Sequence, residues 1–130
     1  MAARVAVAVI AVLAVGWLAV MERDQRLHAD GAKVLAMRGP SGAQLSAAEQ
    51  DLRRAGLLNP DTRPELDRAL VLVAQGRADT GKAVVEDVVR REPDNLLAWG
   101  VAAVLARGRD QALLDRAFAA RERLDPVNAR

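Results

Sequence analysis

The chain has no cysteine, no tyrosine, a single phenylalanine and a single histidine. Without cysteine there is no thiol nucleophile, no thiolate-bound metal and no disulfide, and that silence fits either side of a membrane. With so few aromatic rings the usual platform for stacking nucleic-acid bases is missing. Neither sign of charge dominates, since 19 Lys and Arg face 17 Asp and Glu for a net charge of +2. The arginines are scattered rather than gathered into a tail or patch, so nucleic acid is not an expected partner. What remains is rich in Ala, Val, Leu and Arg and favours helices joined by short turns. An all-α fold is expected, and 130 residues leave room for one small domain at most.

The first part of the chain is not available to a soluble core. Residues 5–21, VAVAVIAVLAVGWLAVM, are 17 consecutive uncharged positions between Arg4 and the charged run Glu22-Arg23-Asp24-Gln25-Arg26. At about 1.5 Å per residue this lies at the short end of what crosses a hydrocarbon core of about 30 Å. Ala2, Ala3 and a snorkelling Arg4 lengthen it, and Trp17 suits an interface. A globular helix would show a polar face, and this run shows none. The small residues that signal peptidase needs just after the apolar region do not stand in LAVMERDQR, so cleavage is not expected. The organisation read from this is a single-pass membrane anchor over residues 1–23, in contact with lipid through residues 5–21, followed by one domain over residues 24–130. Arginine counts on the two flanks do not decide orientation. The very short tail before a signal-like run makes an extracytoplasmic domain the expectation.

Beyond the anchor the sequence repeats. Pro60, Pro93 and Pro126 stand at two successive intervals of 33 residues, each after an amphipathic run. Between the first two, RPELDRALVLVAQ reads as a helix, GRAD as a turn and TGKAVVEDVVRR as a second helix. Between the second and third, NLLAWGVAAVLA, RGRD and QALLDRAFAARERL do the same. Ser46 with Glu49 and Thr62 with Glu65 have the spacing of capping boxes, in which hydroxyl and carboxylate each satisfy an orphan amide. A period of 33 or 34 with proline as punctuation belongs to stacked helical hairpins, of which about three are needed for a stable core.

The residues inside the period resemble the tetratricopeptide repeat family. Ala48, Leu52, Ala55 and Pro60 match the small, bulky, small and proline positions of that family's second helix. The same frame runs through Gly81, Val85, Val88 and Pro93, and then through Leu114, Phe118, Arg121 and Pro126. In the first helix, Trp99 falls on the family's tryptophan position with Ala103 on the small one. Leu27, Gly31 and Val34 fit an earlier unit, and Leu66 and Val73 the outer positions of the middle one. Departures are Leu114, Arg121 and Leu70 where small residues are expected, Asp30 where leucine is, and GPSGA at positions 39–43 as an insertion. The resemblance implies a right-handed array of three units, over residues 24–61, 62–94 and 95–130, with the polar last helix capping itself.

Two stretches invite other readings. GRADTGKA, positions 76–83, nearly spells a phosphate-binding loop, but Ala83 stands where a magnesium-binding hydroxyl is needed. A turn inside the middle hairpin is the simpler reading, supported by its counterpart one unit later. His28 and Asp30 are too close in sequence to share a helix face, and no serine, histidine and carboxylate set is identifiable. No enzymatic activity, cofactor, metal or small-molecule substrate is expected.

In tetratricopeptide arrays the first helices line a groove that holds a peptide or a partner helix. Carried onto this chain, the resemblance puts His28, Ala32, Asp67, Val71, Gly100 and Val104 on that groove. The lysine, asparagine and arginine set that clamps a terminal carboxylate is absent, and the groove would be small and apolar with Asp67 as its main charge. The expected function is a membrane-anchored scaffold binding a protein partner in the envelope or membrane. The alternative is a small accessory subunit whose transmembrane helix, through Ala8, Ala11 and Ala14, packs against a larger membrane enzyme or transporter.

Overall fold

The computed structural model describes the backbone of residues 2–57 and 59–127, and the side chains of residues 10–57 and 59–127. Among these residues the chain is all-α, with six α-helices and no strand. Helix α1 runs Ala2–Lys33 and passes into a 3₁₀ turn at Val34–Ala36; α2 is Gly42–Ala55, α3 Arg63–Ala74, α4 Ala78–Arg91, α5 Leu96–Ala106 and α6 Gln111–Leu124. The helices expected between the prolines lie within two residues of these bounds.

Each helix packs on its successor, so that α1 with α2, α3 with α4 and α5 with α6 form three consecutive hairpins. The first helices also meet, α3 touching α1 on one side and α5 on the other. Most of the apolar burial lies in the last two hairpins, where Leu66, Ala69, Val85, Val88, Ala102, Leu113 and Ala117 share one core. A second cluster of Val34, Leu45, Ala48, Leu52 and Val71 joins the first hairpin to α3. Alanine and glycine at the crossings allow close approach. A Cβ on Gly31 would sit 2.6 Å from Leu52 Cγ, and one on Gly81 would sit 2.7 Å from the Ala69 carbonyl oxygen.

Caps place the helix starts. Ser41, not Ser46, begins α2: its hydroxyl accepts from the Gln44 amide while the Gln44 side chain accepts from the Ser41 amide. The capping box is therefore one turn earlier than expected, because the second half of GPSGA is the start of the helix. Asn95 and Asp110 cap α5 and α6 by accepting from the amides of Ala98 and Leu113. Thr62 precedes α3 but makes no cap bond, since its hydroxyl is used elsewhere.

The expected frame fails in α6. Phe118 is 49% exposed and Arg121 is exposed, while Leu113, Ala117 and Ala120 are buried. The reason lies in the turns. Gly76 and Gly108, 32 residues apart, both adopt positive φ, of 80° and 72°, which fixes how the next helix leaves the turn. Gly81, Val85 and Val88 stand at the same offsets from Gly76 as Leu113, Ala117 and Ala120 do from Gly108. The buried face is thus registered on the glycine, and the extra residue that restores the interval to Pro126 is taken up at the helix end. Likewise Ala69 and Ala102, rather than Leu70 and Ala103, occupy the most buried small positions of α3 and α5.

Helix α1 crosses the expected boundary between residues 23 and 24 without a break. Its described residues 10–19 are exposed on every side, and Asp24, at 4% exposure, is the first that is fully buried. Among the described residues no helix is long and apolar enough to cross a membrane. The anchor expected over residues 5–21 falls partly on side chains, 5–9, outside those described.

Candidate functional site

The face formed by α1, α3 and α5 brings several of the expected groove residues into register. On α1, His28 and Ala32 are half-buried one turn apart, and the His28 ring Nε2 lies 2.7 Å from Asp67 Oδ2 on α3. An ionised carboxylate can only accept, so the ring N–H donates. Both side chains keep about a quarter of their surface exposed, 26% and 27%. On α5, Gly100 is half-buried, with open space where a Cβ would stand, and Val104 is 65% exposed.

Val71 does not belong to this face. It is fully buried, packed with Val34, Leu45, Ala48 and Leu52. The 3₁₀ turn after α1 is what covers it: Val34 is carried over α3, where an ideal repeat would leave that position open. The surface therefore divides into a polar part, His28 and Asp67, and an apolar part, Gly100 and Val104, with Leu97 exposed near the start of α5. Leu97 was missed by sequence reasoning; a leucine two residues before the tryptophan position was the available signal.

Trp99 is half-buried against the larger core, and its indole N–H donates to the Pro93 carbonyl at 2.8 Å. Pro60, Pro93 and Pro126 are exposed or nearly so, at the corners between hairpins. Beside these corners the repeat builds a polar joint. The Thr62 hydroxyl donates to Glu92 Oε2 at 3.1 Å, and Asn95 Nδ2 donates both to Thr62 Oγ1 and to Glu92 Oε2, at 3.0 and 2.7 Å. Thr62 and Asn95 are equivalent positions, each two residues after its proline, so the joint links one period to the next.

Ion pairs add further ties between hairpins. Glu49 takes Arg77 at 3.0 Å and Arg68 at 3.6 Å, and Arg116 takes Glu86, while Arg91 and Glu65 pair within the middle hairpin. Lys82 on α4 donates to Asp110, the cap of α6. Lys82 holds the Asp110 carboxyl below the usual carboxylate range, helped by the Leu113 amide. In return the bond to Asp110 raises Lys82. Desolvation pulls Arg91 down, but Glu65 and Asp87 together leave it raised.

Chemically this face carries one hydrogen-bonded histidine–carboxylate pair beside an exposed apolar part. Among the described residues no three metal-ligating side chains converge. The stretch ahead of Gly76, which a phosphate-binding loop would need as a strand, is helix α3. No protein-family model, curated protein or solved structure matches the chain.

Proposed function

We propose that this chain is a membrane-anchored scaffold of tetratricopeptide-like hairpins, stacked as a right-handed array, that binds a protein partner on the face of α1, α3 and α5. The observation that carries the reading is the contact order: consecutive hairpins whose first helices lie side by side, with His28 and Asp67 bridging the first junction. The partner segment is helical or apolar. Val104 and Leu97 offer it exposed apolar surface, Gly100 offers room for a bulky side chain, and Asp67 selects for a cationic or donor group. The anchor is supported by the apolar stretch of α1, whose described part presents Ile10, Leu13, Trp17 and Leu18 to its surroundings rather than to the hairpins. Tethering raises effective concentration, so a small face suffices.

The test is a photo-crosslinking amino acid placed at Val104 and, as control, at exposed Ala112 on α6. A discrete adduct at 104, absent at 112 and abolished by Gly100→Arg, is expected; equal labelling at both positions would refute the face. The accessory-subunit reading, for which Ala11 and Ala14 are exposed on α1, separates from the first by exchanging residues 5–21 for an unrelated apolar helix. Only that reading predicts loss of association. A reporter fused after Arg130 tests the extracytoplasmic assignment: activity of an export-dependent reporter is expected, and activity only of a cytosolic one would reverse it.

A further inference from the structure

From the way α1 enters the first hairpin we infer that the arginine-bearing corner beside it, formed by Arg23, Arg53, Arg54 and Leu57, rests on the anionic headgroup layer of the membrane. The inference depends on reading residues 5–21 as the anchor. The fully exposed apolar stretch of α1 ends at Ala19, and its first fully buried residue, Asp24, follows without any interruption of the helix. Five residues of helix rise about 7.5 Å. The headgroup region is about 5–8 Å deep on each side of the core. A continuous helix offers no slack, so the first hairpin begins where the headgroups end.

The antiparallel pairing decides which part of that hairpin faces the lipid. Gly31 lies against Leu52 and Ala48, and Val34 shares a cluster with Leu45, so α2 runs back toward the amino-terminal part of α1. Continuing past that contact, the last turn of α2 and the chain after it come level with α1 near residue 24. There stand Arg53 and Arg54, the basic residues of the last turn, and Leu57, 72% exposed. Arg23, next to Asp24 on α1, is also exposed. Among the described residues none of these three arginines has a hydrogen-bond or ion-pair partner, whereas most of the arginines on the second and third hairpins are paired. Of the nearby acids, Glu22 is engaged by Arg26 and Asp24 is buried. Three such guanidinium groups and an exposed leucine at this end of the hairpin match lipid phosphates above an acyl boundary, each arginine adding about fivefold to surface partitioning.

Because the chain has no cysteine, single reporters can be introduced at Leu13→Cys, Met37→Cys and Leu57→Cys. Each full-length variant, carrying an environment-sensitive fluorophore, is reconstituted in phosphatidylcholine vesicles containing phosphatidylglycerol, with a nitroxide quencher on either the headgroup or the acyl chain. The expected result is acyl-chain quenching at 13, headgroup quenching at 57, and neither at 37, which lies at the opposite end of the hairpin. Arg53→Gln with Arg54→Gln, or vesicles of phosphatidylcholine alone, are expected to remove most of the quenching at 57 and leave 13 unchanged. Quenching at 13 with none at 57 would overturn the headgroup contact while the anchor stands. Quenching at 57 that ignores both the arginines and the lipid charge would overturn the electrostatic match. No quenching at 13 would overturn the anchor reading and this inference with it.

Discussion

Gly81 backs onto the Ala69 carbonyl oxygen, and a Cβ at 2.7 Å from a backbone atom cannot be relieved by rotating a side chain. Gly81→Ala is therefore expected to destabilise by about 1–3 kcal/mol through overpacking. Gly100 meets nothing within 4 Å. Gly100→Ala is expected to stabilise by about 0.5–1 kcal/mol through helix propensity alone. Urea unfolding followed by circular dichroism checks both, and opposite signs are required. Asp110 supplies a pH prediction. Its carboxyl is depressed by Lys82 and by the Leu113 amide. Its contribution is therefore full above the unfolded carboxylate value of about 4 and is lost as pH falls through the lower folded value. Lys82 is raised, so its contribution is full below about pH 10 and is lost as pH rises through the folded value. Asp110→Asn should lower stability at neutral pH and flatten the acid limb of the stability profile. An unchanged acid limb would show that this pair is not linked to folding.

At the scale of the element, register follows the turn rather than the punctuation. Both turn glycines have positive φ, and the buried positions of α4 and α6 count from them. Proline marks where a helix has ended but does not say which face was inward. Leu113→Ala is accordingly expected to cost about 2–5 kcal/mol as a cavity in the core. Phe118→Ala, on the exposed side, is expected to stay within about 0.5 kcal/mol of the parent. A reversal of that order in the same unfolding experiment would restore the proline-based frame. The bounds of the four helices after Pro60 were legible because glycines and prolines are local signals, as the turns at Gly76 and Gly108 illustrate. Ser41 was missed because a serine followed by glycine reads as loop until its partner Gln44 is seen to close the box.

For the whole molecule, stability is shared between hairpins rather than held within them. The larger core draws on α3, α4, α5 and α6 together, and polar ties such as Thr62 to Asn95 and Lys82 to Asp110 cross the junctions. Ending the chain after residue 94 would strip Ala98, Ala102, Leu113 and Ala117 from that core. The shortened chain is expected to lose its cooperative unfolding transition altogether. A sharp transition at an unchanged midpoint would mean that the last hairpin is an independent unit. One contact on the candidate face was legible from repeat spacing: His28 and Asp67 were placed on separate helices by frame alone, and they meet. Val71 was not, because whether a position on α3 is open depends on what the preceding segment lays over it.

The sequence by itself determined the class of the fold and the place of the turns within the second and third hairpins. These follow from hydrophobic period, caps and φ-restricted residues acting over a few neighbours. Only the tertiary structure decided which face of α6 is buried, that Val71 is core, that Thr62 spends its hydroxyl on the next hairpin, and that α1 runs unbroken into the first one. Each of those depends on groups far apart in the chain competing for the same surface or the same donor. No local pattern records the outcome of that competition.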